Sequence, residues 1–241
     1  MSLCQSKGSS CGACCGLFNL DYPPTVLKRI LEERTTIFSE KVDYAKRETV
    51  ISFREELEQK ENSYPKKDGT VYNCPFLGYI DLENKRIGCM IHPIKTGDTK
   101  SQNFSFYGAS ICQTYDCHNK ERKNANQWES FLESLGLDEY QYSNLAGDHI
   151  LITRIEEFFK ASGISSDSMF KDYSLLLKKL LLSKFTKGNS HITSFEIDME
   201  ASIEDSKFQK LVDKLSLAAS DELFHELEAL INSCQSAKLV T

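Results

Sequence analysis

The sequence predicts a mainly α-helical chain with one small β-hairpin, divided into a cysteine-rich N-terminal module and a helical C-terminal region. Three observations carry this expectation. Apolar residues recur at helical spacing along much of the 241-residue chain. The segment from Val71 to Ile91 has the short apolar runs and central turn of a hairpin. Eight of the nine cysteines fall within the first 117 residues, leaving only Cys234 beyond them. The division this implies is a module over residues 1–118 and a helical region over 119–241 that packs on it. Length allows one or two domains, and a 40% hydrophobic content is enough for a sizeable core.

Taken in order, residues 1–20 are rich in Cys, Gly and Ser, which suits a tight loop wrapped around something. Asp21 to Pro24 reads as a turn opening a helix, since proline is tolerated in a first helical turn. Val26, Leu27, Ile30 and Leu31 continue that helix. A second helical stretch is expected from about Ser39 towards Lys60, with Thr49 to Phe53 (TVISF) as a rival strand. Asp68-Gly69 is a turn signal. The hairpin follows as Val71 to Asp81, a turn near Glu83-Asn84, and Arg86 to Ile91. Lys95 to Ser110 is polar and reads as a surface loop.

Past Lys120 the texture is helical: Trp128, Phe131, Leu132 and Leu135 share a face, then Ile150 to Phe159 and Met169 to Phe185 form amphipathic runs. Asp167 is the expected N-cap of the latter. Phe195, Ile197 and Met199 alternate with acids, as a short strand would. Two last helices are expected over about 203–217 and 221–236, the second capped by Ser220, with Asp221 and Glu222 favourable to its dipole. No repeat of 20 to 50 residues is present.

The bulk properties exclude several classes. The start, MSLCQSKGSS, has no apolar run of the secretory kind. The richest apolar window, Leu175 to Leu182, is split by Lys178 and Lys179, so no membrane span is expected. The net charge of −6 weighs against nucleic acid as a partner, because phosphate binding needs clustered bases. The expected location is the cytoplasm, where thiols stay reduced; a disulfide-stapled domain is the weaker reading of the cysteines.

Four cysteine blocks carry the chemistry. They are Cys4-x6-Cys11-x2-Cys14-Cys15, Cys74-Pro75-Phe76-Leu77, Cys89-x-Ile91-His92-Pro93 and Cys112-x4-Cys117-His118. Thiolates are soft donors that suit zinc or an iron–sulfur cluster. A C-x2-C loop lets two sulfurs converge on a metal, and Gly12 eases the turn. Adjacent side chains diverge, so Cys14-Cys15 suggests two metals close together, or one ligand beside a redox thiol. Structural zinc prefers two short knuckle pairs, and this chain has one clean pair. Iron–sulfur ligation tolerates irregular spacing, and a Cys-Pro step is common beside such clusters. The spacing therefore favours iron–sulfur over zinc without excluding zinc.

These blocks resemble the CxxCxxCC cysteine-cluster family, described as a zinc- or iron-chelating domain. The resemblance rests on Cys11-Gly12-Ala13-Cys14-Cys15, Cys74-Pro75-Phe76-Leu77, Cys89-Met90-Ile91-His92 and Cys112-Gln113-Thr114-Tyr115-Asp116-Cys117, and with Cys4 it covers about half the chain. It implies metal chelation by Cys4, Cys11, Cys14, Cys15, Cys74, Cys89, Cys112 and Cys117. The chain departs from the pattern in the six residues between Cys4 and Cys11 and in lacking an Arg-Pro step after the third block. A flagellin lysine methylase is among the family's relatives.

His92 and His118 are rival ligands to a full cysteine set. His149, His191 and His225 read as surface or packing residues, and Cys234 as a small buried hydrophobe. Tyr72, Phe76, Tyr79 and Tyr115 either shield a cluster from water or pack a core. There is no G-x-S-x-G, H-E-x-x-H, P-loop or G-x-G-x-x-G signature. The expectation is a metal-binding protein holding an iron–sulfur cluster or zinc. Its helices would contact a protein partner, or the cluster would serve redox chemistry or protein (lysine) modification in an enzyme.

Overall fold

A computed structural model describes Leu3 and residues 8–81, 83–114, 117–186 and 206–238. The protein is mainly helical with a small two-stranded antiparallel sheet. Contacts divide the chain into two compact units, the first reaching Gly147 and the second opening at Asp148. Residue 118, where cysteine distribution sets the boundary, lies inside the first.

The first unit is built on α1 (Pro24–Lys41) and α2 (Arg47–Glu61). Pro24 occupies the first turn of α1, where a missing N–H costs nothing. The buried face of α1 is Leu27, Ile30, Leu31, Arg34 and Phe38, a helical period. Its first half packs with Leu17, Phe18, Leu77, Tyr79 and Ile87. Phe38 joins a second cluster with Val50, Phe53, Leu57, Phe76 and Ile91. The expected single stretch from Ser39 to Lys60 is broken between α1 and α2. TVISF is helical throughout: Val50, Phe53 and Leu57 are buried at intervals of three and four, and this periodicity overrides the β-propensity of the run.

Strands β1 (Leu77–Tyr79) and β2 (Ile87–Cys89) pair antiparallel, with Leu77 opposite Cys89 and Tyr79 opposite Ile87. Asn84 takes φ 53° at the expected turn. The polar stretch expected as a loop from Lys95 to Ser110 is largely folded. It holds α3 (Pro93–Thr96), a 3-10 turn over Ser101–Phe104 and the start of α4 (Gly108–Thr114). These short elements are held by local bonds, such as Ser101 Oγ to the Ile91 carbonyl at 2.6 Å, which leave no hydrophobic period to read. Helices α5 (Ala125–Ser134) and α6 (Glu139–Gly147) complete the unit, with Trp128, Leu132, Tyr142 and Leu145 buried.

The second unit comprises α7 (His149–Ala161), α8 (Ser166–Lys171), α9 (Ser174–Thr186), α10 (Lys207–Lys214) and α11 (Glu222–Lys238). Ile152, Ile155, Phe158, Leu177, Leu180, Leu211 and Leu227 form its interior. The run from Met169 to Phe185 is two helices, and Ser165, not Asp167, caps the first by accepting from the Ser168 N–H. Asp221 rather than Ser220 stands immediately before α11. Asp148 caps α7, accepting from the Leu151 N–H at 3.0 Å, and is held by Lys184 Nζ at 2.6 Å and Lys214 Nζ at 3.3 Å. The strand expected at 195–199, His191 and the side chain of Cys234 lie outside the described residues. Among the described residues, no helix is long and apolar enough to cross a membrane.

Candidate metal centre

The loop before α1 folds back on itself. A 3-10 turn over Ala13–Cys15 ends at Gly16 with φ 82°, a left-handed conformation that suits glycine. A side chain there would also meet the Tyr72 carbonyl at 2.5 Å, so the close approach of two loops requires glycine as well. The Cys74 N–H donates to the Cys15 carbonyl at 3.0 Å, tying the first cysteine block to the second. Asn19, fully buried, organises the run into Cys74 by donating to the carbonyls of Asp68 (2.9 Å) and Val71 (3.1 Å). The Gly12 N–H donates to Ser143 Oγ at 2.8 Å, anchoring the loop on α6.

Behind Cys74 lies a buried ion pair. Arg34 Nε donates to Glu61 Oε1 at 2.8 Å, and Nη2 meets Glu61 Oε2. Arg34 Nη1 donates to the carbonyls of Cys74 at 3.0 Å and Leu77 at 3.2 Å. Burial lowers the guanidinium pKa, but the Glu61 carboxylate more than offsets this, so Arg34 stays charged.

These elements enclose a cavity of about 160 Å³ whose walls include Cys11, Cys14, Cys15, Cys74, Cys89 and Cys112. Each block arrives on a different element: the N-terminal loop, the turn before β1, the end of β2, and α4. Cys11 Sγ accepts from the Ala13 N–H at 3.5 Å. Cys112 Sγ lies 3.8 Å from Ser105 Oγ, and Gln102 Nε2 donates to Cys89 Sγ at 3.9 Å. His92 also lines the cavity; its Nδ1 accepts from the Ile94 N–H at 3.2 Å, leaving Nε2 free of that bond.

Crowding shapes the thiols. Cys15 donates to Cys14, which lowers the Cys14 pKa and raises that of Cys15 well above the ordinary thiol value. Burial, then the charge of neighbouring sulfurs, pushes Cys74 up and raises Cys89 to about 11. Burial likewise raises Cys112. A cation among these sulfurs would cancel the repulsion that opposes their ionisation. The donor set therefore fits a soft metal by its chemistry. Among the described residues, however, no three Cys, His, Asp or Glu side chains converge as a ready-made ion site.

Six of the eight sequence-predicted ligands thus share one cavity. Cys4 lies outside the described residues. Cys117 is not among the lining residues; its carbonyl accepts from the Lys120 and Glu121 N–H groups. All seven described cysteines carry free thiols. Phe76 is core, packed edge-on against Phe38 and tilted against Phe53. Tyr79 donates to Glu139 Oε1 at 3.1 Å. Tyr72 packs tilted against Phe106 and edge-on against Tyr107, and Tyr115 lies outside the described residues. Sequence reasoning missed Gln102, Ser105 and Tyr107, which line the cavity from a segment read as surface loop. No signal beyond their closeness to Cys112 marks them. Comparison with protein-family models, curated proteins and solved structures finds no match for the chain.

Proposed function

We propose that the first unit is a cysteine-rich metal-binding module that holds an iron–sulfur cluster or zinc. The observation that carries this reading is the assembly of six thiols from four separate chain segments around one cavity. Cys11, Cys14, Cys15, Cys74, Cys89 and Cys112 are the central donors, and Cys4 and Cys117 complete the proposed set. The resemblance to the CxxCxxCC cysteine-cluster family supports the same assignment. The irregular spacing of the cysteines fits the zinc templates poorly and so favours iron–sulfur. Such a cluster supplies one-electron transfer when bound; zinc supplies a structural cross-link or a Lewis acid. Arg34 holds the Cys74 turn, Asn19 holds the approach to it, and Gln102 and Ser105 contact sulfur from the far wall.

The biological role follows one of two lines. In the first, the centre holds the loops while helices contact a protein partner. In the second, an enzyme uses it for redox chemistry or protein modification; a wall carrying Gln102 and Tyr107 beside the thiols favours this second line. A net charge of −6 and thiol-rich composition fit a cytoplasmic protein that binds neither nucleic acid nor membrane. The test is metal analysis and a visible spectrum of anaerobically purified protein. At least one iron or zinc per chain is expected, with brown colour for the cluster. Less than one metal per chain, with thiols oxidised in pairs, would establish the disulfide-stapled alternative.

A further inference from the structure

Helix α9 has two faces of different fate. Leu177, Leu180 and Leu181 are fully buried in the second unit. Leu175, Lys178 and Leu182, spaced by three and four on the opposite side, line a groove of about 440 Å³ shared with α11. Leu175 is 67% exposed there, and Leu217 and Leu223 complete the apolar lining. The two walls of the groove differ in charge. The α9 wall carries Lys178 and Lys179, and the α11 wall carries Glu222 and Glu226. Asp221, at the start of the acidic wall, accepts from the Ala218 N–H at 2.6 Å. Lys179 bridges to Glu226 across the groove. Glu226 raises the Lys179 pKa through that bond, and the charge of Glu222 adds to it, so Glu222 stands close to the basic wall. Among the described residues, Lys178 and Glu222 take no ion pair.

We propose that this groove is the contact of a symmetric homodimer, in which α9 of each copy lies over α11 of the other. A two-fold axis running along the groove sets each basic wall opposite the acidic wall of the second copy and closes the leucines against each other. Lys178 and Glu222 then meet twice, once on each side of the axis. Both charges gain partners, and Leu175 loses its exposure. The pairing of opposite walls is what selects the occupant. A groove of one sign would ask for a partner of the other sign, whereas a groove with one wall of each sign is complementary to itself. The inference does not depend on what the thiols hold.

Sedimentation equilibrium of the full chain, over about a hundredfold range of concentration, reads the association. The wild type should pass from monomer to dimer, and the dimer should weaken as salt is raised. Lys178→Glu and Glu222→Lys each set like charges opposite one another at both contacts, and each should weaken the dimer about tenfold or more. Mixed in equal amounts, the two variants should dimerise with each other at about wild-type strength, because each supplies the charge the other lacks. Leu175→Ser should weaken the dimer at low and high salt alike. All three residues are exposed, and circular dichroism checks that each variant keeps the fold. A chain that stays monomeric across the whole range overturns the proposal and leaves the groove to a different protein. A dimer that ignores either charge reversal overturns it too, since the copies then meet elsewhere. So does a mixture of the two variants that fails to restore the dimer.

Discussion

Arg34 stands on α1 where the helical period asks for an apolar residue, and it is 3% exposed, against Glu61 at 7%. Two buried charges in register with backbone carbonyls are tolerable only together. Arg34→Met should therefore cost about 3–5 kcal/mol, because Glu61 is left charged in the interior. Urea denaturation checks this, and the double variant Arg34→Met/Glu61→Met should recover much of the loss. If the single variant proves neutral, the pair is not the strut described. Gly16→Ala forces both a left-handed φ and a close approach to the Tyr72 carbonyl. It should cost about 1–3 kcal/mol, read in the same titration. Neither residue was distinguishable in the sequence. Arg34 looked like any charge on a helix, since burial of a charge is decided by a partner 27 positions away. The cysteines were legible for the opposite reason: their chemistry is in the residue type itself.

The helices show where periodicity suffices. Apolar spacing located α1, α5 and α7, because each buries a face wide enough to leave a mark, but it read α8 and α9 as a single run. It failed for α3 and α4, four and seven residues long, which are too short to carry a period and are fixed by contacts with other segments. The same failure hid the cavity wall, since Gln102, Ser105 and Tyr107 sit in that stretch. The start of α7 gives a pH prediction. Burial opposes ionisation of Asp148, but Lys184 and Lys214 outweigh it, so its pKa lies below the ordinary carboxylate value. A group depressed in the folded state stabilises above its unfolded pKa, about 3.9, and that contribution fades as pH falls towards the folded pKa. Helicity of the full chain should thus show an acid-induced loss below about pH 4. Asp148→Asn should be less stable at neutral pH, with a flatter profile across that acid range. An unchanged profile would remove Asp148 from the account.

At the scale of the molecule, two compact units imply two responses to one perturbation. If the first unit holds a metal as proposed, a chelator should loosen that unit and spare the other. Hydrogen exchange reads this directly: amides of residues 8–20, β1 and β2 should lose protection by tenfold or more, while those of α7 and α9 hold theirs. Uniform loss across both would argue for a single cooperative structure. The division between units was not legible in composition, because the cysteines mark where the thiols are needed and α5 and α6 carry none while belonging to the same unit. The scatter of the lining thiols along the chain also has a consequence for biogenesis. Cys11 leaves the ribosome long before Cys112, and synthesis at about 5–20 residues per second separates them by several seconds. During that interval the thiols of the first block stand without those of Cys74, Cys89 and Cys112, and the walls of the cavity do not yet exist. On the proposed reading, the full set of lining thiols comes together only after α4 has been made and docked, so a growing chain and a finished one offer a metal different donor sets.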